Sequence, residues 1–372
     1  MTYPQGGCRA ACAWRVASGV LAVALVVVTC LYVHEVRTPA SGAAITGDPL
    51  SLWVDGAPLK AQLTEYVKAV TDEDSKDFIP VEDRVAVFDM DGTLCCETDP
   101  VYFDHRLLYH RVTEDPGYKD RATAEERETA AKIKTMMETG EYAKGLDVDH
   151  GKAVASAFKG MTLPEFYAYV RDYRDRPAPG YENMTNGEAF YKPMLQVVEY
   201  LKANGFRVYI VSGTDRLIVR GLATGIVGIP PSQMIGSDET LVSNHQGGAD
   251  GLTYTFKKDD TVVTGGEFVI KTLKMNKVAV IVREIGVRPV LAFGNSSGDA
   301  AMANFVIGGD KYRCAAFMLC CDDTERENGN PENAAKMAKN CAENGWTAIS
   351  MKNDWKTIYG DGVTRKTTRI SR

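Results

Sequence analysis

The sequence predicts an α/β fold: a three-layer, Rossmann-like parallel sheet with a helical cap inserted after its first strand. Three apolar stretches, at 85–88, 207–213 and 289–293, end in polar turns, and continuous apolar runs of this length are typical of parallel strands buried on both faces. Helical patterns alternate with these strands, as in βα units. The segment 98–190 interrupts the alternation with successive helical patterns, which predicts an insertion over the strand ends.

Length and composition favour a large globular body. With 372 residues, of which 45% are hydrophobic, the chain can bury one elaborated core or two smaller ones. Its formal charge of −6 argues against a protein that binds nucleic acid non-specifically, because such proteins present a basic surface. We therefore expect no nucleic-acid partner.

The first 43 residues differ from the rest of the chain. Arg9 and Arg15 precede an uncharged apolar run at 16–33, a pattern typical of a signal peptide or, given its length, of a membrane anchor. We therefore expect an exported, extracytoplasmic protein that contacts a membrane only through this segment. Cleavage and retention of the segment are both left open.

Six cysteines follow the N-terminal segment, at 95, 96, 314, 320, 321 and 341. An exported chain permits disulfides, and the first pairing that we expect joins Cys341 to Cys314, Cys320 or Cys321. The alternative is that most of the six are small buried hydrophobic residues with free thiols. Their spacing matches no zinc site.

The remaining elements can be taken in chain order. Residues 44–58 form a linker that contains Gly and Pro, and 59–70 carry apolar residues at helical spacing. The insertion contains helical patterns at 101–112, 123–138, 147–159 and 163–174. Beyond it the sequence predicts helices at 194–201, 216–225 and 277–285, and short β-prone runs, TLVSN, LTYTF and TVVTGG, between 233 and 265. We therefore divide the chain into the segment 1–43, an α/β core of 44–97 and 191–372, and a helical cap of 98–190.

Two aspartates follow the first strand directly. Asp89 lies at the strand end, and Asp91 comes just before a turn at Gly92 and the hydroxyl of Thr93. Chemistry in a parallel sheet gathers beyond the carboxyl ends of its strands. There Asp89 could attack phosphorus while Asp91 protonates the leaving alcohol and later deprotonates water. The pair would also attract magnesium, and the alternative is a solvated Asp-Gly turn.

Polar groups also lie near the other strand ends. Ser212 places a hydroxyl, with the N–H groups of Gly213 and Thr214, at the expected start of a helix, where a phosphate could bind; alone it would be an ordinary helix cap. Lys277 could neutralise the nucleophile and the phosphoryl group. Lys271 is a rival, and for either lysine the alternative is a solvated surface position.

The turn after the third strand carries possible metal ligands. Asn295 and Asp299 could complete an oxygen-rich magnesium site with Asp89 and the carbonyl of Asp91. Alone, GNSSGD would be an Asn- and Gly-rich turn that caps a helix.

Together these stretches resemble the four motifs of the haloacid dehalogenase superfamily. The motifs are FDMDGTL, VSGT, a lysine that begins KVAVI, and LAFGNSSGDAAM, in that order over roughly residues 84–305. The helical insertion resembles the cap of the phosphoserine and phosphorylcholine phosphatase-like subgroup. The resemblance implies a magnesium-dependent phosphatase that hydrolyses a small phosphorylated metabolite through an aspartyl-phosphate intermediate.

The resemblance also assigns a role to each matching residue. It implies that Asp89 is the nucleophile, Asp91 the acid and base, and Lys277 the charge balancer. Phosphate-binding positions are Thr93, Ser212 and Gly213, and the magnesium ligands are Asp89, Asp91, Asn295 and Asp299.

The chain departs from the family pattern in the fourth motif. The family commonly has Asp where this chain has Asn295, so we expect weaker magnesium binding and a larger share for Asp299. Glu97 lies near, but not at, the spacing of the glutamate with which phosphoserine phosphatases hold the substrate amine. It is a candidate for substrate recognition, and the alternative is that it orders the cap hinge.

The substrate pocket and the reaction class leave alternatives. Candidate pocket residues are Tyr102, His105, Tyr167 and Tyr169, although aromatic residues in helices are more often part of the core. The alternatives to a phosphatase are a phosphotransferase or mutase of the same fold and an exported binding protein with weak catalysis.

Overall fold

The computed structural model describes residues 47–366, so the predicted signal peptide or anchor at 1–43 lies outside the described part of the chain. The predicted α/β architecture is confirmed, because a seven-stranded, mostly parallel sheet has helices packed on both faces. Between residues 47 and 366, no helix is both long enough and apolar enough to span a membrane.

The strands are β1 (Val85–Phe88), β2 (Tyr181–Glu182), β3 (Arg207–Asp215), β4 (Met234–Ser243), β5 (Val262–Ile270), β6 (Leu291–Gly294), β7 (Ala315–Cys320), β8 (Thr347–Ser350) and β9 (Thr364–Arg365). The main sheet has the order β5-β4-β3-β1-β6-β7-β8, and β5 runs antiparallel to β4 at one edge. The two short strands β2 and β9 pair separately.

Strand β1 lies at the centre of the sheet. Val87 pairs with Tyr209 of β3 on one side and with Ala292 of β6 on the other. All four residues of β1 are buried, with Val87 in the core on one face and Ala86 and Phe88 in the core on the other. The residues after β1 therefore lie between the polar turns that follow β3 and β6.

The helices are α1 (Pro58–Thr71), α2 (Phe103–Thr113), α3 (Ala124–Thr139), α4 (Leu146–Ala157), α5 (Leu163–Arg174), α6 (Lys192–Ala203), α7 (Arg216–Ala223), α8 (Met275–Val280), α9 (Ala300–Ile307), α10 (Pro331–Asn344) and α11 (Met351–Asp354). Buried side chains of α1, α6 and α7 belong to the core that contains Phe88. Those of α8, α9 and α10 include members of the core that contains Val87.

The four helices predicted in the insertion are confirmed as α2 to α5. Capping boxes define two of their starts: the hydroxyls of Thr123 and Thr162 accept hydrogen bonds from the N–H groups of Glu126 and Glu165, whose carboxylates accept in return. We call α2 to α5 the cap helices. The division of the chain into segment, core and cap at 43, 97 and 190 stays a prediction.

Two predicted elements are wrong in detail. The LTYTF run at 252–256 forms no strand; it lies in the loop between β4 and β5, where Leu252 is 98% exposed because no strand of the described chain covers it. The helix predicted at 277–285 is interrupted: α8 passes at Ile281 into a π-helical turn that ends before Gly286.

The predicted disulfide is also wrong. All six cysteines of the described chain are free, including Cys341 and the proposed partners Cys314, Cys320 and Cys321. Cys320 and Cys341 are only 5% and 2% exposed, so both behave as small buried hydrophobic residues.

Candidate active site

The site is built on the turn that follows β1. The N–H of Asp89 donates to the carbonyl of Phe293 on β6 at 2.9 Å, which fixes Asp89 at the strand end. Gly92 then turns the chain with a φ of +75°. A Cβ atom there would lie 2.0 Å from Nδ2 of Asn295 and 2.5 Å from Cδ of Glu97, so only glycine allows these side chains to approach.

Lys277 lies beside Asp89 and is fully buried. Its Nζ atom is 2.6 Å from Oδ1 of Asp89 and 2.7 Å from Oδ1 of Asp299, and it also donates to the carbonyl of Val211 at 2.6 Å. Burial alone would lower the pKa of Lys277, but the two carboxylates outweigh it and raise the pKa. The structure therefore brings Lys277 to Asp89, whereas its rival Lys271 lines the adjacent cavity.

The turn after β3 differs from the prediction. Strand β3 continues through Asp215, and the carboxylate of Asp215 caps α7 by accepting from the N–H groups of Leu217 and Ile218. Ser212 and Gly213 are therefore strand residues and not the start of a helix. The Ser212 hydroxyl lies 3.4 Å from Oδ2 of Asp91 and accepts from the N–H of Thr214.

The turn after β6 is held by Asp299. Its Oδ2 atom accepts from the N–H groups of Asn295 and Ser296, at 3.1 and 3.0 Å, and from the Ser296 hydroxyl. The amide of Asn295 bridges two other predicted residues: its oxygen accepts from the Thr93 hydroxyl at 3.2 Å, and its nitrogen donates to Glu97 at 2.9 Å. Thr93 and Asn295 thus contact each other.

A cavity of about 320 Å³ opens between these turns and the cap helices. Of the predicted residues, Asp89, Asp91, Glu97, Gly213 and Asp299 line it, and so do the pocket candidates Tyr102 and His105. Tyr167 and Tyr169 do not line it. Tyr169 instead donates to Asp115 within the cap, at 3.0 Å.

Three carboxyls in this cavity are forced together away from water. Burial and the charge of Asp299 raise the pKa of Asp89 to about 7, and burial with the charge of Asp104 raises the pKa of Asp91 to about 6. Burial and the charge of Asp91 raise the pKa of Glu97 to about 8. Repulsion between carboxylates is relieved by a hard divalent cation, so this donor set fits magnesium.

The cap contributes a second cluster that the sequence analysis did not identify. Asp104 and His105 lie in the first turn of α2, His150 lies on α4, and one ligand atom from each lies within 4.8 Å of the others. The two imidazole rings stack with centroids 4.1 Å apart and planes 7° apart. In-plane lone pairs of parallel rings do not converge on one ion, so the cluster as it stands is not a formed metal centre.

Other residues of the cavity also lay outside the sequence analysis. Tyr142 and Asp147 line it from the cap, and the Tyr142 hydroxyl donates to Asp147 at 2.8 Å. No motif marks these positions, because cap residues reach the cavity through the packing of α2 against α4. The adjacent Asp and His at 104 and 105 were the one signal available in the sequence.

Comparison with known proteins gives a family match. The family of haloacid dehalogenase-like hydrolases matches residues 86–304. No curated protein matches the chain. A protein of unknown function from Anaerococcus prevotii is 15% identical, with a TM-score of 0.46 and coverage of 78% of this chain and 91% of that one.

Two further solved structures are similar at comparable levels. A phosphoserine phosphohydrolase-like protein from Francisella tularensis is 13% identical, with a TM-score of 0.38, over 72% of this chain and 94% of that one. Cytosolic 5'-nucleotidase IIIB bound to cytidine is 11% identical, with a TM-score of 0.44, over 80% of this chain and 87% of that one.

Proposed function

Because the chain belongs to the family of haloacid dehalogenase-like hydrolases, we propose that it is a magnesium-dependent phosphatase. Its substrate would be a small phosphorylated metabolite, hydrolysed through an aspartyl phosphate. One observation carries the proposal. Asp89 lines the cavity at the end of β1 and is paired with the fully buried Lys277, while Asp91 lines the same cavity.

The proposed reaction has two steps. In the first, a carboxylate oxygen of Asp89 attacks phosphorus, the bond from phosphorus to the ester oxygen breaks, and Asp91 gives a proton to the leaving alcohol. In the second, water attacks the phosphorus of the aspartyl phosphate, Asp91 takes a proton from that water, and the bond from phosphorus to the Asp89 oxygen breaks, so that phosphate leaves and the Asp89 carboxylate is restored. Lys277 offsets the negative charge beside Asp89 throughout.

The residues expected to bind phosphate divide into two groups. Gly213 lines the cavity, which supports a role for its backbone in holding the phosphoryl group. The Thr93 and Ser212 hydroxyls are directed at Asn295 and Asp91 respectively. We propose that these two hydroxyls act by orienting those side chains.

Magnesium would be held beside this cavity, with Asp89, the carbonyl of Asp91, Asn295 and Asp299 as the predicted ligands. The raised pKa values of Asp89, Asp91 and Glu97 support this assignment, because a divalent cation would relieve their repulsion. When bound, it would supply positive charge against the phosphoryl oxygens. Oδ1 of Asp299 pairs with Lys277, and its Oδ2 accepts hydrogen bonds from the turn after β6. We therefore propose that Asp299 holds Lys277 and this turn in place in addition to binding magnesium.

The proposal is tested by a screen of small phosphomonoesters with and without magnesium, with phosphate release and the fate of the alcohol both measured. We expect release of phosphate into water that requires magnesium and is abolished in Asp89→Asn. Transfer of phosphate only to a second alcohol would identify a phosphotransferase or mutase. Binding of phosphomonoesters without turnover would identify a binding protein.

Export through residues 1–43 is a separate proposal that rests on the basic and apolar pattern of that segment. Fractionation of cells that express the full chain tests it. Retention of the chain in the cytoplasm would contradict it.

A further inference from the structure

A single hydroxyl connects the cap to the proposed acid and base of the core. Oγ1 of Thr214, at the end of β3, lies 2.8 Å from Oδ2 of Asp91 and 3.0 Å from Oδ2 of Asp104, which belongs to the first turn of α2. Asp91, Thr214 and Asp104 are only 8%, 4% and 2% exposed, so water does not compete for these contacts. Thr214 belongs to the VSGT motif, but no motif marks its contact with Asp104.

The hydroxyl has one hydrogen to offer to two carboxyls. The Thr214 hydrogen is shared between Oδ2 of Asp91 and Oδ2 of Asp104. The hydrogen bond from Thr214 to either carboxyl therefore depends on where the other carboxyl lies. Among residues 47–366, Oδ1 of Asp91 has only a weak partner, the Cys95 thiol at 3.9 Å. Holding Oδ2 therefore leaves Oδ1 as the oxygen that is free to exchange a proton with a substrate in the cavity.

The cap side of this connection is itself fixed in place. Nδ1 of His105 lies 2.8 Å from Oδ1 of Asp104, and Nδ1 of His150 lies 3.8 Å from its Oδ2. The two rings stack on each other and are 4% and 1% exposed, so they form a rigid wall behind the carboxylate. Asp104 can therefore hold Thr214 only when α2 and α4 are packed in this arrangement.

We propose that Asp104 is a positioning residue that acts through Thr214 to orient the carboxyl of Asp91, so that protonation of the leaving alcohol depends on the cap. This inference rests on the proposed function. In the step concerned, the O–H bond of Asp91 breaks as its proton passes to the ester oxygen, and the bond from that oxygen to phosphorus breaks. The hydrogen of Thr214 stays on its own oxygen.

The dependence on leaving group separates this role from a structural one. An alkoxide needs a proton as it departs, whereas p-nitrophenolate is stable enough to leave without one. Misorienting Asp91 should therefore slow the hydrolysis of an alkyl phosphate far more than that of p-nitrophenyl phosphate. The quantity to compare is kcat/KM, because it reports the steps up to the first irreversible one and so the transfer to Asp89.

We would measure kcat/KM of the full chain, with magnesium, for glycerol phosphate and p-nitrophenyl phosphate. We expect Asp104→Asn to lower the value for glycerol phosphate by about 100-fold, within the usual range for acid–base catalysis, and the value for p-nitrophenyl phosphate by less than about 5-fold. Thr214→Val should show the same selectivity, and Thr214→Ser, which keeps the hydroxyl, should restore the wild-type ratio. Both substitutions break the same connection. The double variant Asp104→Asn with Thr214→Val should therefore have a kcat/KM for glycerol phosphate no lower than that of the less active single variant.

Asp115→Asn is the matched control, because it removes a cap carboxylate that contacts Arg111 at 2.6 Å and lies outside the cavity. Any loss that it causes should be equal for the two esters. Equal losses in Asp104→Asn, or no loss, would overturn the inference while leaving the phosphatase proposal in place. A wild-type chain that hydrolyses neither ester, nor any ester of the wider screen, would instead overturn the proposed function.

Discussion

Glu97 brings a third carboxyl to the two that follow β1. Its Oε1 atom accepts from Asn295, and its side chain lines the cavity beside Asp91. The sequence offered two roles for it, substrate recognition and ordering of the cap hinge. Its contact with the turn after β6 suggests another, in which Glu97 would adjust the charge of the proposed magnesium site.

Stability should reveal the forced proximity of Glu97 to Asp91. Its pKa is raised from 4.5 to about 8, so between these values the folded state binds more protons than the unfolded state, and the free energy of unfolding falls as pH rises. Without divalent cations, the free energy of unfolding of Glu97→Gln should exceed that of wild type by about 4 kcal/mol at pH 8.5 and lie close to it near pH 4.5. Urea unfolding at both pH values measures the difference.

The control for this experiment is Glu138→Gln, which changes a cap carboxylate that is 63% exposed. It should shift the free energy of unfolding by the same small amount at both pH values. A difference between wild type and Glu97→Gln that does not change with pH would contradict the account of Glu97.

Gly92 is the residue on which the geometry of the turn depends. Gly92→Ala places a Cβ atom 2.0 Å from Asn295 and strains a φ of +75°. Gly140 has nearly the same φ, +74°, with no atom within 4 Å of such a Cβ. We expect Gly140→Ala to cost about 1 kcal/mol and to keep full activity, and Gly92→Ala to cost about 2 kcal/mol more and to abolish activity. Equal destabilisation by Gly92→Ala and Gly140→Ala would contradict the close approach of Asn295 and Glu97 to Gly92.

At the level of elements, the cap is joined to the core by close contact between α5 and α7. A Cβ atom on Gly221 of α7 would lie 2.7 Å from Cβ of Val170 on α5, and Val170 is fully buried. These helices therefore approach as closely as they do because residue 221 has no side chain. The contact fixes one side of the cap over the strand ends.

This contact predicts compensation between two substitutions. Gly221→Ala should destabilise the protein by about 1 kcal/mol, after the gain in helix propensity is subtracted from the clash, and Val170→Ala by about 2 kcal/mol through the cavity that it leaves. The double variant should be destabilised by at least about 1 kcal/mol less than the sum of the two single variants, because the methyl group that Gly221→Ala adds occupies space that Val170→Ala leaves empty. Additive free energies in urea unfolding would contradict direct contact between the helices.

The elements also show where sequence reasoning succeeded. Helices α3 and α5 were placed to within a residue, and the structure shows that a capping box begins each of them, Thr123 with Glu126 and Thr162 with Glu165. The run LTYTF failed because β-propensity needs a partner strand, and no described strand covers it. The continuation of β3 through Asp215 was missed because pairing with β4, which no local pattern reveals, extends the strand.

On the scale of the whole molecule, the fold of residues 47–366 does not depend on disulfides. The six described cysteines are free, and burial raises the pKa of Cys320 to about 12 and of Cys341 to about 11. Thiolate is the reactive form, so these thiols should be inert in the native state. We expect a reductant to leave the melting temperature unchanged.

Alkylation and mass spectrometry test the same point. Cys95 and Cys96 are 4% exposed or less, so iodoacetamide should leave them unmodified in the native protein. In denaturant it should modify all six cysteines of residues 47–366. A crosslinked peptide that joins Cys341 to Cys314, Cys320 or Cys321 would contradict the structure.

For the molecule as a whole, the order of strands and polar turns along the sequence predicted which core residues meet at the site, but not which residues of the cap helices join them. Asp89, Asp91, Lys277 and Asp299 could be brought together because each follows or precedes a strand of one parallel sheet. Asp104, His150 and Thr214 could not, because their proximity depends on how α2 and α4 pack over that sheet. Tertiary packing of this kind leaves no period or motif in the sequence.

The central claim is that Asp89 carries the phosphoryl group during turnover. The chain would be mixed with a phosphomonoester and magnesium, quenched within milliseconds, reduced with borohydride, and digested so that the peptide of residues 85–106 can be sequenced by mass spectrometry. Borohydride converts an aspartyl phosphate to homoserine, and we predict that conversion at Asp89, with none at Asp91 or Asp104. Turnover without homoserine at residue 89, or with the label at another residue, would contradict the claim.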